Sequence, residues 1–451
     1  RSAMFAPSDY IGTDMRQKLH GQTQQEYCKI NNKSDDCNIE RIFYRPLDAI
    51  TTINTSTIRD ALRNLLPSNT KAYVKELFFG KQFLEEVKFF RTANFNQKIL
   101  PQTEFQKLKF EKYNLSFLEN LDQTHYGKVM KIQSDVKTFF IDIFNSDILL
   151  STVKGNFYLL KDSNIENAQK LNTNLKDLNE IEIMDSAIIS NKIYISYRRI
   201  PNGSDCSFFH VKFANINNSN LNFQNVFSPK RCTKNNYGGR IAYGKFFNEE
   251  GIVLTTGATG DEERKMAQDI NSHLGKILFF PFNKEDYKII SLGHRNPQGL
   301  FIKNNLILST EHGPYGGDEI NKIEIGNNYG WPISSYGEKY QFLRKEHKLN
   351  QYLYKKSHKD YNFTEPIFSF VPSIGISEII SIPNNFSKYW KNNFFVSSLN
   401  GVSLYRLEFD KNYEKIKFLE KIIILERVRD IKYSKKLDSF VLALETSGSI
   451  G

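Results

Sequence analysis

One strand-loop-strand unit recurs six times after residue 135, and this repeat limits the possible fold more than any other feature of the chain. Each copy has an apolar run that ends in a small polar residue or similar, then a loop, then a second apolar run. The six pairs of runs are 147–152 with 156–160, 191–197 with 207–213, 251–256 with 275–280, 305–310 with 319–325, 393–398 with 403–409, and 438–444 with 449–451.

A repeat of this kind predicts a β-propeller. A small sheet cannot bury both of its faces alone, and radial stacking of several such sheets buries them all. Further β runs, such as 288–292 and 429–433, fall between the copies. We therefore predict an all-β, six-bladed propeller over residues 135–451. The last predicted strand stops at Gly451, which leaves room for chain beyond it.

Residues 1–130 follow a different pattern, and we predict a partly helical N-terminal extension there. Ser56 is placed to cap a helix whose apolar residues 58, 61, 62, 65 and 66 keep helical spacing until Pro67. A second amphipathic stretch covers 71–90. Stripes of this type usually pack against other residues. The function of the extension is open, and it is the region where we expect a protein partner to bind.

Charge and hydropathy exclude two classes of partner. The chain has 61 Lys+Arg against 50 Asp+Glu, but the lysines are spread evenly and do not cluster with aromatic residues, so we predict no nucleic-acid partner. Mean hydropathy is -0.48 and no apolar run is long enough to span a bilayer. No charged-then-apolar leader opens the chain, which leaves room for a leader or anchor removed before Arg1.

The four cysteines stand in two local pairs, Cys28/Cys37 and Cys206/Cys232, without the spacing of a zinc site. Two disulfides that close short loops would fit an oxidising compartment. Four reduced thiols in a cytosolic protein are the alternative. We favour the disulfides.

The densest group of polar residues lies between 293 and 332, in three strings: Gly293-His-Arg-Asn-Pro-Gln-Gly-Leu300, Ser309-Thr-Glu-His-Gly-Pro-Tyr-Gly-Gly-Asp-Glu-Ile-Asn321 and Asn328-Tyr-Gly-Trp-Pro332. Arginine offers a forked donor to carboxylates, and glycine permits close backbone approach. Gly-Pro carbonyls beside acidic residues suit calcium. Each string alone could be a turn, with Arg295 in a structural ion pair. Three together favour a site for an anionic ligand.

These strings resemble the glucose/sorbosone dehydrogenase family, the soluble quinoprotein sugar dehydrogenases that use pyrroloquinoline quinone (PQQ). Further matches are Gly238-Gly-Arg-Ile241, the run 267–276 and Arg427-Val-Arg-Asp-Ile431. The resemblance covers roughly residues 135–451. It implies a six-bladed propeller, in agreement with the repeat count, and a periplasmic or extracellular setting.

The resemblance also implies roles for individual residues. Contacts to the quinone fall on Arg295, Asn296, His312, Ser373, Arg427 and Arg429, of which the last two face its carboxylates. Gly313 and Pro314 match backbone carbonyls that bind calcium, so we expect calcium here. Glu319 and Tyr329 resemble a second calcium position in some members. Lys339 stands where those members offer an acidic ligand, which weakens that assignment.

Three positions depart from the family. A histidine acts as general base two residues before the Gly-Gly-Arg string, where this chain has Asn236, which cannot take up a proton near neutral pH. The carboxylate that orients this base is replaced by Ala258, and a lysine that contacts the quinone is replaced by Asn400. His210 and His273 are the candidates for a displaced base, although nothing in their spacing recommends them.

Two hypotheses follow. The retained arginines favour a propeller that keeps an anionic ligand, a sugar or calcium but is weakly catalytic or non-catalytic, with a binding or assembly role. The alternative is an active PQQ-dependent aldose or aldehyde dehydrogenase with a rearranged site.

Overall fold

The computed structural model describes residues 21–23, 41–44, 108–118, 123–124 and 136–451, the last with gaps at 217–218, 235–236, 261–262, 283, 285, 315, 338–353, 355–357 and 372. Both predicted helices of the extension lie outside these residues. So do Cys28, Cys37, Asn236 and Lys339.

Five short strands precede the first blade: β1 (Gly21–Thr23), β2 (Arg41–Tyr44), β3 (Tyr113–Asn114), β4 (Gln123–Thr124) and β5 (Val136–Lys137). Strands β4 and β5 pair with each other. The other three join blades, as described below.

Six antiparallel sheets then follow in chain order. Blade one contains β6 (Phe139–Phe144), β7 (Asp147–Thr152), β8 (Phe157–Leu160) and β9 (Ala168–Thr173). Blade two contains β10 (Ile181–Ile189), β11 (Lys192–Arg199), β12 (Phe208–Asn215) and β14 (Gln224–Phe227), and the intervening β13 (Asn220–Leu221) pairs in parallel with β9. Blade three contains β15 (Gly238–Phe246), β16 (Glu249–Thr256), β17 (Lys276–Pro281) and β18 (Lys288–Leu292).

The remaining blades repeat this order. Blade four contains β19 (Pro297–Lys303), β20 (Leu306–Glu311), β21 (Asp318–Lys322) and β22 (Phe368–Phe370). Blade five contains β23 (Ile376–Ser381), β24 (Asn393–Ser398), β25 (Ser403–Phe409) and β26 (Ile416–Ile423). Blade six contains β27 (Val428–Ser434), β28 (Ser439–Leu444) and β29 (Ser449–Ile450).

The six predicted pairs are confirmed as the two middle strands of the six blades. The predicted run 393–398 coincides with β24, and 403–409 coincides with β25. The runs 288–292 and 429–433 belong to β18 and β27. Adjacent innermost strands contact each other around the axis, from β6 through β10, β15, β19, β23 and β27 and back to β6. The chain therefore forms the predicted six-bladed propeller.

Strands from the stretch assigned to the extension complete two blades. Strand β3 pairs with β29 as the fourth strand of blade six. Strand β2 pairs with β26, and β1 pairs with β2, so blade five has six strands. The ring is thus closed by a strand that lies before the first blade in the sequence.

The apolar core lies between neighbouring blades, where the flat faces of the sheets meet. Between blades six and one, for example, Leu115 and Leu118 are buried with Phe139 and Val441. Helical structure in the described residues is limited to short 3-10 segments at Lys161–Ser163, Ile165–Asn167, Leu178–Glu180, Glu263–Gln268 and Lys359–Tyr361. Within that part of the chain, no helix has the length and apolar character needed to cross a bilayer.

Candidate functional site

The residues assigned to the quinone converge where the innermost strands begin. Asn296 directly precedes β19, Arg429 is the second residue of β27, and Ile376, a partner of His312, begins β23. Each blade repeats the same antiparallel order from the axis outwards, so the first residues of its innermost strand lie on one face of the propeller. Residues far apart in sequence are therefore brought together at the axis.

A continuous chain of hydrogen bonds joins three of these residues, Asn296, Arg429 and Arg427, through Gln298 and Glu445. The Gln298 amide donates to Asn296 Oδ1 at 2.9 Å and accepts from Arg429 Nη1 at 3.2 Å. Arg429 Nε donates to Glu445 Oε1 at 2.5 Å, and Arg427 Nε donates to Glu445 Oε2 at 3.1 Å. One buried carboxylate is therefore shared by both predicted carboxylate-binding arginines.

Glu445 is charged in this setting. Its side chain is fully buried, which by itself would raise its pKa, but Arg429 and Arg427, together with hydrogen bonds that include one from Thr138, hold the pKa below the ordinary glutamate value. An anionic ligand that approached these arginines would meet two positive charges and one negative charge. The net attraction is that of one cation, to which Arg295 adds a second.

Arg295 provides the clearest unused donor of the site. Its Nη1 donates to the carbonyl oxygens of His312 at 3.0 Å and Gly313 at 2.7 Å, and the guanidinium lies 5.4 Å from the centre of the Trp331 ring. Its Nε is buried without a hydrogen-bond partner. A buried N–H of this kind costs free energy unless a ligand or water accepts from it, so the site fits an anionic ligand.

The same contact argues against calcium in this arrangement. The Gly313 carbonyl, which the family resemblance assigns to the metal, already accepts from a guanidinium. A cation at this carbonyl would have to displace Arg295 or share the oxygen with it. Pro314 is buried beside Gly337.

His312 and Ser373 lie on the rim of the same site. His312 Nε2 lies 2.5 Å from the carbonyl oxygen of Ile376, which can only accept, so Nε2 carries the proton. Its Nδ1 then carries a lone pair and lies 3.5 Å from Asn296 Nδ2. Burial lowers the pKa of the ring, so the ring stays neutral. Ser373 Oγ donates to Asp318. Asn400 is exposed and lies against Gly375, two residues from Ser373.

A small pocket opens beside Arg295 and contains Glu319 and Tyr329, the two residues assigned to a second calcium. Its other side chains include Glu311, His312 and His358. Burial, and next the nearby Glu311 carboxylate, raise the pKa of Glu319 well above its ordinary value. The Tyr329 hydroxyl donates to the Lys322 carbonyl oxygen at 2.5 Å and accepts from the Glu324 amide at 3.0 Å. Its hydroxyl group is therefore already hydrogen-bonded to the backbone.

The position predicted for the orienting acid is apolar in this chain. Ala258 is fully buried with Ala267, Leu274 and Trp331, and its carbonyl oxygen accepts from the Trp331 indole at 2.8 Å. This chain therefore has no carboxylate at that position.

Neither candidate for a displaced base belongs to the hydrogen-bonded site. His210 lies on β12, the third strand of blade two, and bonds Ser228 at 2.9 Å. His273 lies in the loop before β17, where Thr256 Oγ1 donates to its carbonyl oxygen. Burial lowers the pKa of each ring to about 4.

Three residues of the site were missed at the sequence level. Glu445 and Gln298 complete the hydrogen-bonded chain described above. Asp318 Oδ2 accepts the amides of Ile374 and Ile376, each at 3.0 Å, and its Oδ1 accepts the amide of Gly313 at 3.1 Å, so it joins blades four and five. Asp318 and Gln298 stand within the quoted strings, which was a usable signal. Glu445 follows the apolar strand β28 and carries no motif.

Comparisons with known proteins agree with this fold. Residues 142–450 match the family model of glucose / sorbosone dehydrogenase. The aldose sugar dehydrogenase YliI of Escherichia coli is 26% identical over 283 residues, which are 58% of this chain and 72% of that protein. Quinoprotein glucose dehydrogenase B of Acinetobacter calcoaceticus is 40% identical over 86 residues, which are 16% of this chain and 18% of that protein.

Solved structures show the same fold. The soluble aldose sugar dehydrogenase of Escherichia coli in its apo-form superposes with a TM-score of 0.56 at 20% identity, and covers 69% of this chain and 93% of its own. The PQQ-bound aldose sugar dehydrogenase of Streptomyces coelicolor gives a TM-score of 0.50 at 17% identity, with 72% and 93% covered.

A six-bladed propeller with polar residues converging at the axis defines the class of this protein. Because the family model spans more than half of the sequence, the chain belongs to the glucose/sorbosone dehydrogenase family. The family prediction is thereby confirmed.

Proposed function

We propose that this chain is an exported quinoprotein-type propeller that binds an anionic ligand at the axis and oxidises sugars weakly or not at all. The observation that carries the proposal is the site itself: Arg427 and Arg429 share one buried carboxylate, Arg295 Nε is a buried donor without a partner, and the position predicted for the orienting acid is the buried Ala258. The Cys206–Cys232 disulfide supports an oxidising compartment. The other cysteine pair lies outside the described residues.

PQQ is the candidate ligand, because a structural neighbour is named as its bound form and because its carboxylates suit guanidinium donors. Arg295, Asn296, Arg427 and Arg429 would hold it. When bound, the quinone supplies a two-electron acceptor for the oxidation of a sugar. What this chain adds is orientation of an anion and a neutral imidazole at His312. Calcium is the weaker part of the proposal, since Arg295 engages the Gly313 carbonyl.

Weak turnover follows from the missing base. Loss of a general base costs roughly 10²–10⁴-fold in rate. Asn236 offers no titratable group, and the Ala258 side chain offers no carboxylate to orient one.

An active dehydrogenase is the second candidate, and one observation favours it. His312 Nδ1 is a lone pair beside Asn296, one of the residues assigned to the quinone. In a neutral imidazole whose Nε2 is fixed on a carbonyl, Nδ1 is the atom that would take up a proton, provided that a substrate hydroxyl displaced Asn296 Nδ2 from it. The two candidates differ in whether bound PQQ is reduced by an aldose.

The test is a titration of the purified protein with PQQ, with and without calcium, followed by addition of aldoses and an electron-accepting dye. We expect saturable PQQ binding and little dye reduction. Arg295→Gln should weaken binding by about tenfold or more, because a charge-assisted donor is lost. Arg199→Gln is the matched control, since Arg199 is half-exposed and pairs with Glu180 on blade two.

The double variant Asn236→His with Ala258→Asp restores both family residues, and Ala258→Asp alone is its control. If only the base is missing, the double variant gains dye reduction over the single one. Rapid dye reduction by the unmodified protein that is lost in His312→Gln would instead establish that the protein is an active dehydrogenase. Absence of PQQ binding under all conditions would reject the proposal.

A further inference from the structure

The Gly238-Gly239-Arg240 segment is a motif that the proposed function leaves unused, and its arginine is at the centre of the molecule. Arg240 is 2% exposed and lies on β15, the innermost strand of blade three. The pairing of β15 with β16 shifts register between Gly238 and Ile241. Such an irregularity redirects a side chain, and here it directs Arg240 into the axis.

The second glycine makes this path possible. Gly239 has a φ of 110°, and a Cβ at this position would lie 2.4 Å from Cβ of Met184 on β10. Only glycine accepts both the conformation and the close approach. Ser196 Oγ donates to the Gly239 carbonyl at 2.6 Å, which fixes the segment on blade two.

Arg240 contacts all five other blades. In blade two its Nη1 donates to Asp185 at 2.9 Å, and in blade five it lies 3.1 Å from Glu378. In blade six it lies 3.4 Å from Asp430. In blade four its Nε donates to the Gln298 carbonyl oxygen at 2.5 Å, and in blade one its guanidinium carbon is 5.3 Å from the Phe140 ring centre.

Two hydrogen bonds connect Arg240 to residues of the candidate site. Arg240 Nη2 donates to the carbonyl oxygen of Arg429 at 2.9 Å, and Nε donates to that of Gln298. The side chains of the same two residues form the hydrogen-bonded chain from Asn296 to Glu445. The amide of Gly238 donates to Asn296 Oδ1 at 2.9 Å. The three-residue segment therefore binds both ends of the Asn296–Gln298–Arg429 arrangement.

The acids around Arg240 also join neighbouring blades. Four carboxylates of innermost strands accept a backbone amide from an adjacent innermost strand: Asp142 from Ile188, Asp185 from Ile241, Glu378 from Leu300 and Asp430 from Ile141, at 2.8–3.2 Å. Lys432 lies 3.3 Å from Asp430 and 3.7 Å from Glu378. Arg240 therefore neutralises acids whose other role is to fix the spacing of the strands.

We propose that Arg240 is the positioning residue of the anion site, setting the distance between Asn296 and Arg429 through the backbone carbonyls of Gln298 and Arg429. The ligand part of this inference rests on the proposed function. Its structural part does not. A lysine would keep the positive charge among the acids, but its single ammonium cannot replace a planar fork that reaches several acceptors at once.

The test compares Arg240→Lys with Arg406→Lys. Arg406 is the matched control, because it is 1% exposed and bound to the buried Glu420 and Asn393 within blade five, away from the axis. Hydrogen-deuterium exchange of the ligand-free proteins is measured first. We expect Arg240→Lys to speed exchange in segments 293–300 and 427–431 and to leave 403–423 unchanged. We expect Arg406→Lys to speed exchange in 403–423 and to leave 293–300 and 427–431 unchanged.

PQQ titration of the same folded variants follows. We expect the dissociation constant to rise about tenfold in Arg240→Lys and less than about twofold in Arg406→Lys. Uniformly faster exchange in Arg240→Lys, or unchanged exchange in 293–300 and 427–431, would overturn the inference. If the unmodified protein does not bind PQQ, the proposed function fails, and the exchange data alone decide the role of Arg240.

Discussion

Glu445 allows the sharpest quantitative prediction, because one fully buried carboxylate balances two arginines. Glu445→Gln keeps the shape of the side chain and removes its charge. Arg429, only 6% exposed, is then left without its carboxylate. Breaking a buried pair from one side costs about 3–5 kcal/mol, which is a large fraction of the roughly 5–15 kcal/mol that stabilises a typical protein.

Denaturant unfolding at pH 7 measures this loss. The control is Glu249→Gln, because Glu249 also forms ion pairs with two basic side chains, Lys284 and Lys288. These pairs lie at the surface, where an ion pair contributes little to stability. The folded pKa of Glu445 lies below the ordinary value of 4.5, so its stabilisation is present above that pH and is lost as the pH falls through the folded pKa. The difference in unfolding free energy between the unmodified protein and Glu445→Gln should therefore become smaller in acid.

The ligand provides a second readout of the same variant. Without the Glu445 charge, Arg427 and Arg429 should bind an anion more strongly, so PQQ should stabilise Glu445→Gln more than the unmodified protein. A loss of stability below about 1 kcal/mol at pH 7 would refute the reasoning, because that is the value of a solvent-screened pair.

Three further predictions concern stability. Lys276 donates to three backbone carbonyls, and burial lowers its pKa to about 8. Above this pH the unfolded chain binds more protons than the folded one, so the free energy of unfolding should rise from pH 8 to 9.5. Unfolding titrations should show this rise in the unmodified protein and not in Lys276→Met. Leu115→Ala should cost about 2–5 kcal/mol by denaturant unfolding because its side chain is fully buried, whereas Leu425→Ala, at a side chain 78% exposed, should change little. Reduction of Cys206–Cys232, whose cysteines are 26 residues apart, should cost about 3 kcal/mol, and an unchanged melting temperature in reductant would contradict this.

The blade pattern was readable from the sequence because middle strands are buried on both faces. The runs that became β7 and β24 each contain a continuous apolar stretch, and the predicted bounds of β7, β24 and β25 coincide with the observed ones. The site strings were equally readable, since Arg295 and Gly313 stand in neighbouring strings of the sequence and are in contact in the fold.

The closing strand and the buried charges carried no such signal. Strand β3 is only two residues long, and it forms because β29 offers an unpaired edge rather than because of its own composition. Glu445 and Arg240 look like ordinary charged residues until the propeller closes around them. Their roles depend on partners in other blades, which local patterns do not reveal.

The pairing of β3 with β29 has a consequence for how the protein is made. Tyr113 meets Ile450, 337 residues later in the chain, so the two ends of the propeller must find each other before the ring exists. Contacts of such long range slow folding, and domains begin to fold while the chain is still being synthesised. Arg427, Arg429 and Glu445 belong to the last blade, whereas Arg295 and Asn296 belong to the fourth. The anion site proposed above draws on both blades, so we expect it to be complete only after the ring closes.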